Sequence, residues 1–274
     1  MKNCIVINDM SGLGKCSLTA SIPVMACLGV QVCPLPTAVL SNQTGYSSYY
    51  IDDYTEKMGF ILKEWQKRNL KTNAILSGFL ANEKQVNIVK ECVNLFKEKE
   101  TLFVVDPVMG DCGEMYKTHN QKMCDSIREL AFMANVITPN LTEACILLKK
   151  DLAKNYSLNE VCEMARELTQ KGPKSVIITG VLENGKISNV ISENGEISVI
   201  SNELIKGNYS GTGDIIASIT TAALINTNHS LKRIITTAAN FVGKATYEAY
   251  LEKTDRNDGV PFENYLAELM GDLL

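Results

Sequence analysis

The chain has 274 residues, 45% hydrophobic and 21% charged, with a formal net charge of −4. This is the composition of an ordinary soluble globular protein with room for one large α/β domain, and residues 1–274 are read as one domain. The acidic balance and the lack of a long Lys/Arg run argue against nucleic acid as a partner, and no window is long and apolar enough to span a membrane. The N-terminal run before Asp9 is too short for a signal peptide. Nine cysteines, at 4, 16, 27, 33, 92, 112, 124, 145 and 162, form no C-x-x-C pair. Their odd number and their place in apolar runs predict reduced thiols in a cytoplasmic protein. His119 and His229 lack the spacing of zinc ligands.

In chain order, Asn3 to Asn8 reads as a short buried strand, followed by a Gly-containing loop from Asp9 to Lys15. Ser17 to Leu28 suits a helix that Pro23 is expected to kink. Val30 to Cys33 and Thr37 to Leu40 read as two strands, and Ser41 to Tyr50 as a mobile loop. Asp53 to Arg68 carries Met58, Ile61, Leu62 and Trp65 on one helical face. Ala74 to Leu76 and Leu102 to Val105 are strands around a helix from Glu83 to Glu98. A helix over Gln121 to Phe132, a strand over Asn135 to Ile137 and helices over Thr142 to Leu148 and Leu158 to Lys171 follow. Ser175 to Ile178 is a strand, and Lys186 to Ile191 pairs with Glu196 to Ser201 as a hairpin across Asn194-Gly195. Helices over Leu231 to Leu251 and Phe262 to Leu273 complete the chain. Strands alternating with helices predict a three-layer α/β/α sandwich on a mostly parallel sheet. Ligand sites in such sheets form beyond the carboxyl ends of the strands. Asp9, Asp106, Asn140, Thr179 and Asp214 all fall just after expected strands or at helix starts.

The most informative stretch is Asn208-Tyr209-Ser210-Gly211-Thr212-Gly213-Asp214, with an apolar run from Ile215 to Ile225 behind it. Glycines before a helix let bare N–H groups converge where the helix dipole is positive, which seats an anion. Asp214 beside such a seat suits a general base, and a helix-start acid is the plainer alternative. Two other phosphate motifs fail. The position five before Gly14 is Asp9, and Lys15 precedes Cys16, so no P-loop is present. The third glycine of a dinucleotide fingerprint is replaced by Ser17, and no acid stands between Asp9 and Asp52 to bind a ribose. In Asp106-Pro107-Val108-Met109-Gly110-Asp111 two carboxylates share a loop after a strand, as hard ligands for Mg²⁺ or as solvated acids of a Pro turn. Asn140 with Glu143 three residues on forms a capping-box pattern, compatible with a role for Glu143 near metal-bound water and phosphate.

Together, and in this order, Gly211-Thr212-Gly213-Asp214, Asn140-x-x-Glu143, Asp106-Pro107-Val108-Met109-Gly110-Asp111 and Ser41-Asn42-Gln43-Thr44-Gly45-Tyr46 resemble the ribokinase-like superfamily. Within it the chain looks most like the vitamin B6 kinases, over nearly its whole length. The resemblance implies ATP-dependent phosphorylation of the 5′-hydroxymethyl group of pyridoxal, pyridoxine or pyridoxamine. It implies Asp214 as general base and Gly211, Thr212 and Gly213 as the anion hole for the γ-phosphate. Asp106, Asp111 and Glu143 are implied beside Mg²⁺. Asp106, Asn140, Thr179, Gly180 and Thr212 are implied beside the nucleotide. Thr44, Gln43, Tyr46 and Asp9 are implied beside the pyridine substrate. ATP and Mg²⁺ are the implied cofactors, with room for a monovalent cation, and a homodimer is the implied assembly.

Two positions depart from the pattern. The better-known B6 kinases carry Ser near the Asp9 position and His at the Gln43 position, and Asp9 instead resembles the hydroxymethylpyrimidine kinases of thiamine synthesis. Such a kinase, or a catalytically idle B6-binding protein on the same fold, is the alternative. A carboxylate at position 9 is expected to favour the protonated amine of pyridoxamine over the carbonyl of pyridoxal. Cys112 falls in the lid region, where some dual-specificity relatives hold a reactive thiol.

Overall fold

The computed structural model describes residues 1–274. Strand β1 (Lys2–Ser11) sets the plan. Cys4 and Val6 enter one core, Ile5 and Ile7 the other, and all four are fully buried. A strand covered on both faces has no solvent side, so its sequence is continuously apolar. The same division runs through β4 (Ala74–Ser77), β5 (Leu102–Val105), β8 (Val136–Ile137) and β9 (Ser175–Glu183). Leu76, Val104, Val136 and Ile177 face one side, while Ile75, Phe103, Ile137 and Ile178 face the other.

The first side is covered by α1 (Ser17–Cys27), α7 (Thr212–Asn226), α8 (Leu231–Glu252) and α9 (Leu266–Leu273). The second is covered by α2 (Thr55–Lys67), α3 (Glu83–Phe96), α4 (Gln121–Met133), α5 (Leu141–Leu148) and α6 (Leu158–Thr169). With β2 (Val30–Leu40), β3 (Ile51–Asp53), β10 (Lys186–Glu193) and β11 (Glu196–Glu203), the strands form one nine-stranded sheet in the order β11-β10-β9-β8-β5-β4-β1-β2-β3. The pairs from β2 to β9 are parallel, and β3, β10 and β11 add antiparallel edges. This is the expected three-layer sandwich. The chain steps from β1 outward to β2 and then back across to β4, so the strand order reverses at β1. A crevice opens at such a reversal, beyond the carboxyl ends of the strands.

Several elements differ from expectation. Val30–Leu40 is one strand through Pro34 and Pro36. Its outer neighbour β3 reaches only Ala38 to Leu40, so the prolines lie where that side is open and no ladder bond is lost. Helix α1 continues through Pro23. Strand β9 does not stop at Ile178 but runs on to Glu183 through a bulge. Gly110–Asp111 (β6) and Glu114–Met115 (β7) form a small hairpin where only a loop was expected. Cys112 and Gly113 form its two-residue turn, with φ of +52° and +80°, the left-handed pair that suits strand twist. The segment 41–50, expected to be mobile, is tied down. Gln43 N–H donates to Leu13 O at 3.1 Å, and its side-chain Nε2 donates to Asn257 Oδ1 at 2.9 Å. No helix is long and apolar enough to cross a membrane.

Candidate active site

Helix α7 is buried on all sides over Ile215–Ala223, which explains its continuous apolar sequence. Its interior hydroxyls are satisfied locally: Thr220 and Thr221 donate to Ile216 O and Ala217 O at 2.7 Å, and Ser218 meets Ser21 of α1 at 2.9 Å. The polar end is different. Gly211 is the N-cap, with φ of +83°, and no side chain caps the helix. Helices α3, α4, α5, α6 and α8 each carry an Asn or Ser cap. The first-turn N–H groups of α7, from Thr212 and Gly213, are thus left for an external anion. Behind Gly211 lies Lys15 O, 1.9 Å from where a Cβ would sit.

Asp214 stands at the third position of this helix and is half-buried. Asn8, at the end of β1, donates from Nδ2 to Asp214 Oδ1 at 2.9 Å. The orientation of the Asn8 amide is forced, because its Oδ1 accepts from the N–H groups of Asp9 (3.0 Å) and Phe79 (2.9 Å). The backbone N–H of Ser17, at the start of α1, favours the ionised form of Asp214. Burial pushes the Asp214 carboxyl up to about 6. The Asp9 charge adds to this, and the Ser17 backbone N–H and the bond from Asn8 oppose it. A base of that strength is deprotonated at neutral pH and still close enough to it to accept a proton. The expected pH profile follows: kcat/KM is level near pH 8 and falls as pH drops through about 6, where Asp214 becomes protonated. A profile flat down to pH 4.5 removes Asp214 from the chemistry.

Asp106 follows β5 and is 8% exposed. Burial first, and then the charge of Asp214, hold its carboxyl well above the ordinary range, with Thr138 beside it as a weak counterweight. No Lys or Arg pairs with Asp9, Asp106, Glu143 or Asp214. The unpaired, buried carboxyl of Asp106, with the charge of Asp214 near it, fits a cation. The structure gathers no group of three His, Cys, Asp or Glu side chains around one metal position. Mg²⁺ keeps waters and phosphate oxygens and takes one or two carboxylates, so Asp106 alone could supply the chain's share.

Glu143 closes the capping box that its spacing from Asn140 predicted. Its Oε1 accepts from Met109 N–H (3.2 Å) and its Oε2 from Asn140 N–H (2.8 Å), completing a capping box on α5. Glu143 therefore shapes the 106–111 loop through Met109. Asn140 has a similar role: its Oδ1 accepts from Glu143 N–H at 2.9 Å and its Nδ2 donates to Gly110 O at 2.8 Å. Asp111 is part-exposed at the hairpin, with its Oδ1 on Cys112 N–H at 2.8 Å. Thr179 and Gly180 together oppose Asn189 at the β9 bulge, with Gly180 at φ +70°. Thr179 also bridges to Asn140, so the bulge lies beside the loop that carries Asp106 and Gly110.

On the substrate side three of the four expected residues make bonds within the chain. Gln43 is 9% exposed, and its amide bolts the 41–50 segment to Asn257 and to Ser210 Oγ (3.2 Å). Tyr46 donates its hydroxyl to Asp258. Asp9 is 6% exposed, with Oδ2 on Ser11 Oγ at 2.8 Å and Oδ1 on Ser17 Oγ at 2.6 Å. Both of its oxygens accept from hydroxyls of the chain. Thr44 alone is exposed with no partner in the chain. Asn8 and Ser17 escaped the sequence reading. Their signal, an Asn at a strand end and a Ser after a Gly-containing loop, is common to many turns.

The sequence matches the phosphomethylpyrimidine kinase family over residues 18–258. It is 27% identical to a pyridoxal kinase of Histophilus somni over 270 residues, 91% of each chain. A candidate phosphomethylpyrimidine kinase from Bacteroides thetaiotaomicron, crystallised with pyridoxal, is 35% identical and superposes with a TM-score of 0.93 over 98% of this chain and 95% of that one. Pyridoxal kinase from Leishmania donovani, in complex with ADP and pyridoxine, shares the fold at 22% identity, with a TM-score of 0.86 over 97% of this chain and 94% of that one. With its uncapped α7, its Asp214 and its Asp106 loop in the expected places, the chain belongs to the phosphomethylpyrimidine kinase family, in the ribokinase-like vitamin B6 kinase branch.

Proposed function

We propose that this chain, acting as one kinase domain, transfers the γ-phosphoryl group of ATP to the 5′-hydroxymethyl group of a vitamin B6 vitamer. The observation that carries the proposal is Asp214 at the mouth of the uncapped helix, held by Asn8 at the end of β1. Asp214 takes the proton of the substrate hydroxyl as that oxygen bonds to the γ-phosphorus and the bond to ADP breaks. Charge that gathers on the transferred group faces the N–H groups of Thr212 and Gly213 and the positive end of α7. Asp106 and Asp111 would hold Mg²⁺ from the protein side, with Glu143 and Asn140 keeping their loop in place. When bound, Mg²⁺ neutralises triphosphate charge and orients it. Thr179 and Gly180 border the nucleotide at the β9 bulge. Thr44 is the segment's free polar group for the pyridine ring, with Gln43 and Tyr46 fastening its backbone.

The relative crystallised with pyridoxal favours a vitamer over a pyrimidine as acceptor. ADP release measured with pyridoxal, pyridoxine, pyridoxamine and hydroxymethylpyrimidine tests this directly. Turnover with one or more vitamers is expected. Turnover with hydroxymethylpyrimidine alone transfers the chain to thiamine chemistry, and no turnover with any of them makes it a binding protein.

A homodimer in a reducing cytoplasm is part of the same proposal. All nine cysteines are free, and Tyr49, Tyr50 and Ile51 leave an apolar strip at the β3 edge. Light scattering at micromolar concentration reads the assembly, and a monomer there removes it.

A further inference from the structure

The turn after α8, residues 255–259, is held in shape by Asp255. Its Oδ1 accepts from Asn257 N–H at 2.8 Å, and its carbonyl accepts from Asp258 N–H at 3.0 Å. The carbonyls of the turn reach two loops of the site. Arg256 O accepts from Ser210 N–H at 3.0 Å, beside the helix cap Gly211, and Asp258 O accepts from Lys15 N–H at 3.2 Å. The third attachment is to the segment 41–50. Gln43 Nε2 donates to Asn257 Oδ1 at 2.9 Å and also lies 3.3 Å from Asn257 O and 3.2 Å from Ser210 Oγ. The orientation of this amide is forced, because Gln43 Oε1 accepts from Gly45 N–H at 2.8 Å. Tyr46 adds a bond from its hydroxyl to Asp258. Gly14 lets these parts close up: an added Cβ there would stand 2.9 Å from Gln43 Cγ and 3.1 Å from Asn257 O.

We propose that Asn257 is a positioning residue. Through Gln43 and Ser210 it sets the spacing between the vitamer-side segment and the anion turn, without touching either substrate. The inference rests on the phosphoryl transfer proposed above. Thr44 follows Gln43 and Gly211 follows Ser210, so one buried amide links the neighbours of both substrates. Transfer needs the reacting atoms about 3–3.5 Å apart, and a misplacement of about 1 Å can cost on the order of 10²-fold in rate. Each half of the site also keeps an anchor of its own. Ser41 N–H on Tyr50 O at 3.0 Å closes the segment, and Ile215 N–H on Gly211 O at 3.0 Å opens α7. Cutting the link therefore leaves each half folded and able to bind its ligand, and loosens only the distance between them. A change of that kind falls on kcat and spares KM.

The test uses Asn257→Ala, which removes the Oδ1 acceptor. Expected are a kcat lowered on the order of tenfold or more and KM values for vitamer and ATP within about twofold. Asn257→Asp supplies an acceptor at the same place and should bring kcat back to within about threefold of the parent's, a rescue that a loss of stability alone does not predict. Gln43→Ala lowers kcat in the same direction, and the double variant is no slower than the slower single one, because the two act as a unit. An unchanged kcat in Asn257→Ala overturns the inference. So does a raised vitamer KM with unchanged kcat, which makes Asn257 a substrate contact, and so does a kcat in Asn257→Asp no better than in Asn257→Ala. Hydrogen exchange on the free proteins supplies an arm that needs no turnover. In Asn257→Ala the amides of 41–50 and of 208–213 should exchange faster together, while those of 140–143 keep the parent's rates. Parent-like exchange in either segment overturns the inference. A parent with no vitamer turnover sinks the functional reading instead and leaves the exchange arm to decide.

Discussion

Asp214→Asn is expected to lower kcat by roughly 10²–10⁴-fold, the usual worth of a general base, while the chain still folds and binds ATP. The amide keeps an oxygen for the Asn8 Nδ2 that now reaches Asp214 Oδ1 at 2.9 Å, so the scaffold around it persists. What disappears is the lone pair that receives the hydroxyl proton. Because that transfer occurs only in the transition state, kcat and kcat/KM should fall together, with little change in KM. Steady-state kinetics with each vitamer, beside ATP titration of the variant, separates the two quantities. A kcat within a few-fold of the parent's would leave Asp214 as nothing more than a helix-start acid.

The two glycines of the turn should separate folding from catalysis. At Gly211 an added Cβ would stand 1.9 Å from Lys15 O, on a backbone with φ of +83°. Left-handed backbone alone costs an alanine about 1–2 kcal/mol, and the overlap with a main-chain oxygen adds strain. Gly211→Ala is therefore expected to lose roughly 2–4 kcal/mol of stability. At Gly213 the nearest atom to an added Cβ is Asp106 Oδ2, at 3.9 Å, an ordinary contact. Within the first turn of α7, Gly213→Ala should raise stability by about 0.5–1 kcal/mol. Its methyl group would, however, occupy the space where bare backbone meets the phosphoryl group. A fall in kcat/KM on the order of 10²-fold is expected, comparable to losing one donor from an anion hole. Chemical denaturation and kinetics on both proteins decide the matter. Parent-like turnover in Gly213→Ala removes the anion seat from this turn, and a parent-like denaturation midpoint in Gly211→Ala contradicts the close approach of Lys15.

The sandwich and the ends of its main strands were legible because burial on both faces writes an unbroken apolar run. Cys4 to Ile7, Leu102 to Val105 and Val176 to Ile178 all show it. The Gly211–Asp214 turn was legible for a similar reason, as a polar, glycine-rich break against nine buried residues of α7. Less legible was anything decided by a distant partner. Pro34 and Pro36 read as a break, and only the absence of an outer neighbour along that part of β2 lets the strand pass through them. The β6–β7 hairpin has strands of two residues, too short for any periodicity to register. Asp9 and Gln43 stand where substrate contacts were expected, and the sequence cannot tell which way a polar side chain turns at a strand end. Ser11, Ser17 and Asn257 settle that, and none of them carries a motif. Asn140 and Glu143 show the opposite case, in which a local capping pattern was read correctly and also holds the loop beside Asp106.

The unpaired acids at the end of the sheet set a term in the folding equilibrium. Asp9, Asp106, Glu143 and Asp214 all bind protons more tightly in the folded chain than an ordinary carboxyl does, chiefly because each is buried. A carboxyl whose folded value is raised favours folding fully below its unfolded value of about 4, and loses that contribution as pH rises through the folded value. For Asp214 the loss begins near the unfolded value and is complete just above 6. Between about pH 5 and 8, then, the machinery of phosphoryl transfer works against the scaffold that carries it, and the free chain should melt higher in mild acid than in mild base. That trend is opposite to the acid denaturation of proteins whose carboxylates are paired with Lys or Arg. Magnesium and nucleotide, by binding the ionised folded state, should narrow the difference, so the melting curve taken across pH with and without them measures how much stability this site withholds until it is filled.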